Sequence, residues 1–410
     1  MIKVLLIVGR PENAEARQKA AEIIHGASPA EFRFHAVFFG DQAAASDPQR
    51  EELQVDSSWL SGANAGFFRR FGGLARLIRE KRFSVVHVLA PEGRFLSLLA
   101  AKCLGVPVRI ARPLPANLPV YELYRGITAV SLSFDDGRGD TTEVLEKLLL
   151  PRGIPATLNI STGYVDGSCP DALLPSRKQP MTVQELRQLA ANPLIEISMH
   201  GDCHLNTDED VFRGRTKLLE WLELPTESRL GFASPGSRFS AERFHAPEEA
   251  ELRNATLYLR TGLRIRSLAP LRVFCRKLAR VTHLPVLYRI AYHDTVMDSA
   301  EGGILYSVPI LRNTSVNELM AVIRSAVKRR GAVILMLHSV LEDTAGEDNW
   351  SWKQKKLLRL CVRLSDLEQQ GKLCLCTASR LYELLQGKDR SRRAGLSVTA
   401  SGLVRTKSDS

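Results

Sequence analysis

The chain has 410 residues, 44% of them apolar and 25% charged, a balance that excludes disordered and fibrous classes and leaves room for two domains with cores of their own. No stretch approaches the ~20 consecutive apolar residues of a membrane-crossing helix. The formal charge of +11 favours phosphates or anionic lipid surfaces as partners, and without a zinc-finger, RNA-recognition or helix-turn-helix signature nucleic acid is not expected among them.

Ile2 to Val8 reads as a buried strand. A secretory signal needs a longer apolar core and a small-residue cleavage site, whereas this segment runs straight into a charged helix, so a cytoplasmic location is expected. A helix from about Ala14 to Ile24 follows, then a strand Phe32 to Phe39 and a polar linker through about Ser61. A basic helix, Phe67 to Lys81, leads into the strand Val85 to Leu89. Pro91-Glu92-Gly93 opens the helix Phe95 to Cys103, and Val106 to Ala111 is a further strand. This alternation predicts an α/β domain with a small parallel sheet covered by helices, and a ligand position beyond the strand ends near Gly9 and Pro91 to Gly93. His87 reads as a packed strand histidine. Three prolines from Pro113 to Pro119 mark a linker, giving expected domains of 1–115 and 121–386. The stretch 387–410, basic and then Ser/Thr/Gly-rich, is expected to be a disordered tail.

The chemistry begins at Ala129-Val130-Ser131-Leu132-Ser133-Phe134-Asp135-Asp136-Gly137, a short apolar strand ending in two carboxylates and a glycine. Neighbouring side chains at a strand end diverge, so Asp135 and Asp136 can do different jobs around one centre. Asp-Asp-Gly is also an ordinary turn. A second stretch gives it meaning: after the apolar Leu194 to Ser198 come His200-Gly201-Asp202-Cys203-His204, two histidines spaced as a metal-binding pair. The seven cysteines are odd in number and scattered, and Cys374 and Cys376 alternate along a strand. Reduced, mostly buried thiols are expected, with Cys203 as an additional ligand the alternative.

With both motifs in hand, the second domain resembles the polysaccharide deacetylases, carbohydrate esterases with a distorted (β/α) barrel and a divalent metal. The likeness runs in order from Ala129 to Leu385. Asp135-Asp136-Gly137 is followed by a helix from Thr142 to Leu149 and by Gly153-Ile154-Pro155-Ala156-Thr157-Leu158. Glu196 to His200 with His204 matches the second motif, Phe232-Ala233-Ser234-Pro235-Gly236 stands where the third is expected, and Val333 to His338 matches the last. Carried over, the resemblance implies Asp136, His200 and His204 as metal ligands, Asp135 as general base and His338 as general acid. Pro235 and the backbone N–H near Gly236 would hold the oxyanion or substrate. Two histidines and a carboxylate suit Zn2+, with nickel, cobalt or iron as alternatives. The family's third motif opens with an arginine that orients the catalytic aspartate; here the position is Ala233, and Arg238, Arg264 and Arg266 are candidate replacements. Arg138 reads as a solvated loop cation. The first domain resembles the N-terminal half of glycosyltransferases built from two Rossmann-like domains, through Ser84-Val85-Val86-His87-Val88, Pro91-Glu92-Gly93 and Leu104-Gly105-Val106-Pro107-Val108. No second such domain follows, so it implies a docking or acceptor-binding module.

An insertion from about Arg264 to Tyr292 carries Leu268, Leu271, Phe274, Leu278, Val281, Leu284 and Leu287 at rough helical spacing, with cations at Arg272, Arg276, Lys277, Arg280 and Arg289. Either it lies on an anionic membrane surface, or it packs its apolar stripe into the core and solvates the basic face. Asp294 and Asp298 are loop carboxylates, one of which could orient His338. The expected function is a metal-dependent hydrolase removing an N-acetyl group from an amino sugar of a glycan or lipid-linked glycan, in contact with the inner membrane face. The alternatives are a deformylase of a lipid-linked amino sugar, and a degenerate esterase domain acting as a glycan-binding or scaffold protein.

Overall fold

The computed structural model describes residues 2–40, 53, 55–60, 67–110, 128–169, 179–263, 269–282, 284–345, 347–393, 396–398 and 403–406. They cluster into two compact units, the first holding 1–128, 367–374 and 387–410, the second 129–366 and 375–386. The expected linker at Pro113 to Pro119 lies outside the described residues.

The first unit is built on the strands β1 (Ile2–Gly9), β2 (Phe32–Phe39), β3 (Asp56–Leu60), β4 (Val85–Val88) and β5 (Val108–Ile110). They are parallel and lie in the order β5-β4-β1-β2-β3, the arrangement of a doubly wound sheet. The period-2 alternation of β1 divides its side chains between two cores. Val4, Leu6 and Val8 pack with Ala16, Ala20 and Ile23 of the helix Ala14–His25. Leu5 and Ile7 pack on the other face with Leu74 and Ile78 of the helix Phe67–Lys81 and with Leu96 and Ala100 of Arg94–Cys103. His87 is fully buried in β4.

Two expectations need correction here. The stretch read as polar linker contains β3, an edge strand of sequence Asp-Ser-Ser-Trp-Leu whose half-exposed face shows no apolar alternation. The tail read as disordered carries the helix Ala378–Arg393 onward through 387–393. Beyond it, the strands Leu396–Val398 and Leu403–Thr406 pair with each other, and the second pairs with β5. Leu and Val in these short runs suit strand formation once an open sheet edge supplies hydrogen-bond partners.

The second unit is a closed parallel barrel of β6 (Thr128–Asp136), β7 (Ala156–Ile160), β8 (Ile195–Met199), β9 (Leu230–Ala233), β10 (Thr256–Thr261), β11 (Ile304–Pro309) and β12 (Ala332–Leu337). Pairing of β12 with β6 closes it. Its interior is polar. Asn159 donates to Ser133 and to Asp135, Arg260 reaches both Asp135 and Ser307, and Thr157 and Tyr258 both donate to Glu196. The outward residues of β6, such as Val130, Leu132 and Phe134, are apolar and buried, as expected for strands covered by helices. The helix after β6 is α-helical over Gly139–Val144, then widens into a π-type turn, Leu145–Leu149.

Close approach of backbone to backbone fixes the loop after β8. Gly214, inside the helix Asp208–Trp221, faces Gly201, and a Cβ at 214 would stand 2.6 Å from the Gly201 carbonyl carbon and oxygen. In an open helix Gly→Ala stabilises by about 1 kcal/mol. Here the loop backbone must move instead, so Gly214→Ala is expected to destabilise by about 1–3 kcal/mol. Urea unfolding measures the sign, and a raised midpoint would show that the contact is loose.

Candidate metal centre at the barrel mouth

The residues singled out in the sequence converge at the carboxyl ends of the barrel strands, the end where parallel barrels carry their sites. Phe134 and Leu337 are register partners, as are Asp136 and Ile160, and Ile160 and Met199. The residues that follow, Asp135 and Asp136 on β6, His200 after β8 and His338 after β12, therefore reach one level. Regular alternation would send Asp135 and Asp136 to opposite sides of the strand. A positive φ of 84° at Asp136 breaks that alternation, a conformation Asp tolerates better than most residues but at a cost of order 1–3 kcal/mol. His204 also has a positive φ, 63°.

Asp136 Oδ1 lies 3.5 Å from His200 Nε2 and 4.0 Å from His204 Nε2. The three residues offer ligand atoms all within 4.8 Å of one another. His200 donates from Nδ1 to the Ala233 carbonyl at 2.7 Å, which fixes the tautomer and leaves the Nε2 lone pair turned to the site. That Nε2 and Asp136 Oδ1 are buried with no hydrogen-bond partner. Two orphaned, convergent acceptors in the interior are expensive unless a cation or water meets them, and the residues present fit a divalent cation. Burial pushes the His204 imidazole down to about 4, so it is neutral and able to ligate at ordinary pH. Burial opposes ionisation of Asp136, yet the close approach of the His200 imidazole and the neighbouring cationic groups hold it well below the usual carboxylate range.

Asp135 is held by an arginine that the sequence reading did not name. Arg260 Nη2 donates to Oδ1 at 2.9 Å and to Oδ2 at 2.8 Å, and Asn159 donates to Oδ1. Arg260 is the register partner of Ala233: the cation missing from β9 stands one strand over at the same level. Arg238 is exposed, and Arg264 and Arg266 lie outside the described residues. A charged residue in the run Thr-Leu-Tyr-Leu-Arg-Thr of β10 was the available signal, since a cation inside an apolar strand needs a buried partner. Burial alone would raise the Asp135 carboxyl; Arg260, His200 and His338 outweigh it and leave the group below its ordinary value.

Arg138 is not a solvated cation. It is buried, donates from Nε to Asp136 Oδ2 at 2.8 Å and from Nη1 to Ser339. Asp140 accepts from the backbone of Val340. The loop after Asp135-Asp136-Gly137 thus clamps the segment that follows His338, whose Nε2 stands 3.9 Å from Asp135 Oδ2. Burial lowers the His338 pKa against the pull of Asp136 and Asp135. The Trp350 ring lies 4.5 Å from its imidazole and is 39% exposed. Neither expected loop carboxylate orients His338: Asp294 pairs with Arg272 and Asp298 with Arg329.

Pro235 and Gly236 form the turn after β9. Asn206, two residues past His204, donates to the Pro235 carbonyl at 2.9 Å and fastens this turn to the ligand loop. Cys203 is not a spare ligand or a free thiol: it is disulfide-bonded to Cys169. Proximity of these two loops comes from the barrel and was not visible in the cysteine spacing.

Removing the Arg260 charge strands a buried carboxylate. Arg260→Met is expected to cost about 3–5 kcal/mol of stability, and Asp135→Asn in the same chain to recover much of that loss. Chemical denaturation of the two variants decides it: equal midpoints would show that the pair carries no such coupling.

A scan against protein-family models and a search of curated proteins both find no match to this chain.

Proposed function

We propose that the chain is a metal-dependent hydrolase that removes an N-acetyl group from an amino sugar, as the resemblance to polysaccharide deacetylases suggests. The observation that carries this reading is the constellation itself: a two-histidine, one-aspartate group with orphaned buried donor atoms, flanked by an arginine-held carboxylate and an imidazole. Asp136, His200 and His204 would hold the metal, most simply Zn2+ for this donor set. When bound, the metal supplies a Lewis acid that polarises the amide carbonyl and makes water a nucleophile near neutral pH.

The chain's own groups divide the remaining work. Asp135, kept ionised by Arg260, takes the proton of the attacking water. His338 delivers a proton to the departing nitrogen as the C–N bond breaks, giving acetate and a free amine. The N–H of Gly236, in the turn fastened by Asn206, would steady the developing oxyanion, a contact often worth about 2.7–4 kcal/mol. Trp350 offers an exposed ring beside His338 for a sugar face. The substrate we infer is a soluble or lipid-linked amino-sugar glycan intermediate, with the first unit as a docking or acceptor-binding module.

One observation favours a second reading, a glycan-binding or scaffold protein with a degenerate esterase domain. Arg138 ion-pairs with Asp136 and competes with a cation for that carboxylate. Metal analysis of the purified protein separates the two, because a binder need not retain one ion per chain and His200→Ala should abolish retention in the enzyme. Asp135→Asn and His338→Ala are expected to keep the metal and each lower acetate release from amino-sugar substrates about 10²–10⁴-fold. Formate release from N-formyl analogues, with no acetate release, would point to a deformylase. Turnover unchanged in both variants would sink the assigned roles.

A further inference from the structure

The insertion is folded inside out. It forms two helices, Ala269–Thr282 and Pro285–Ala291. On the first, Leu271, Phe274, Leu278 and Val281 make one stripe at spacings of three and four residues, and all are exposed, Phe274 by 59% and Val281 by 80%. Val286 and Ile290 continue an exposed apolar face on the second helix. The opposite stripe, Arg272, Arg276 and Arg280, faces the protein. Arg272 pairs with Asp294 at 2.7 Å, and Arg276 and Arg280 flank the fully buried Glu318 at 3.8 and 3.6 Å, with Tyr292 also bonded to that carboxylate. This reverses the arrangement expected for a core-packed helix with a solvated basic face.

Such a helix would be doubly unfavourable if its outer face met only water. Guanidinium groups are taken from solvent while large apolar side chains are left in it, and both placements cost free energy. Apolar patches of this kind mark interaction surfaces. Charge names the partner. Residues 269–292 contain five Lys and Arg and no Asp or Glu, and the two cations not turned inward, Lys277 and Arg289, are exposed among the apolar residues. We propose that this hairpin docks on an anionic lipid bilayer, its apolar face at the acyl boundary and Lys277 and Arg289 at the headgroups. Helices of 14 and 7 residues are too short to cross, since a span needs about 20; they lie in the plane of the interface. The proposal identifies a partner surface and stands independently of the hydrolase reading.

The test is co-sedimentation of the full chain with phosphatidylcholine vesicles and with vesicles that also contain phosphatidylglycerol. Binding to the anionic vesicles is expected, with Phe274→Ser/Val281→Ser weakening it at least about tenfold and Lys277→Glu/Arg289→Glu removing the preference for anionic lipid. All four substitutions fall on exposed side chains, and circular dichroism verifies the fold. Absence of vesicle binding by the wild-type chain overturns the proposal, as does binding that the Phe274→Ser/Val281→Ser variant retains in full. A dimer in sedimentation velocity that this variant dissolves, with no vesicle binding, assigns the face to a second copy and equally overturns it.

Discussion

Inside the barrel a carboxylate must stay charged with almost no water around it, and the contact between Arg260 and Asp135 is what makes that possible. A lone ionised aspartate at such depth would protonate. With the guanidinium 2.8–2.9 Å away and Asn159 donating to the same group, the Asp135 carboxyl stays below its ordinary pKa. Asp136 beside it is similarly tied by Arg138. The two carboxylates sit next to each other, where like charges repel, and each has its own cation. That separation lets one serve as a candidate ligand and the other as a candidate base.

The same requirement explains why the barrel is polar inside. Ser133, Asn159, Ser307 and Arg260 form a connected set of donors and acceptors under the site. Thr157, Glu196 and Tyr258 form another. Connected networks of this kind resist rearrangement, because breaking one bond leaves another group unsatisfied in low dielectric. The ligand loop gains its own fixings: Gly201 against Gly214, Asn206 to the turn after β9, and the link from Cys203 to Cys169. A metal site needs this because its open donors are costly until filled and would otherwise relax towards one another.

The insertion helix obeys the opposite bias. There the chain buries its arginines against Glu318 and Asp294 and turns its leucines and phenylalanine out. Both regions pair buried guanidinium groups with buried carboxylates. In the barrel the pairing keeps the candidate base charged beside the candidate metal ligands; in the hairpin it leaves an apolar face turned outward.

Much of this was legible in order along the chain. Alternating strand and helix patterns gave the α/β class because periodicity of two and of about 3.6 is local. The Asp-Asp-Gly strand end and the paired histidines named four side chains, and the resemblance a fifth, His338, that the barrel does gather, because each lies at or just beyond a strand end and parallel strands share an end. Three things waited for the tertiary structure. Arg260 could not be matched to Asp135, 125 residues earlier, since strand neighbours and register are set only when the barrel closes. The Cys169–Cys203 link depends on two loops meeting. The hairpin's stripe was visible as a pattern, but a pattern does not say which side faces in; Glu318 and Asp294 decide that, because a buried carboxylate demands a cation more strongly than exposed leucine demands cover.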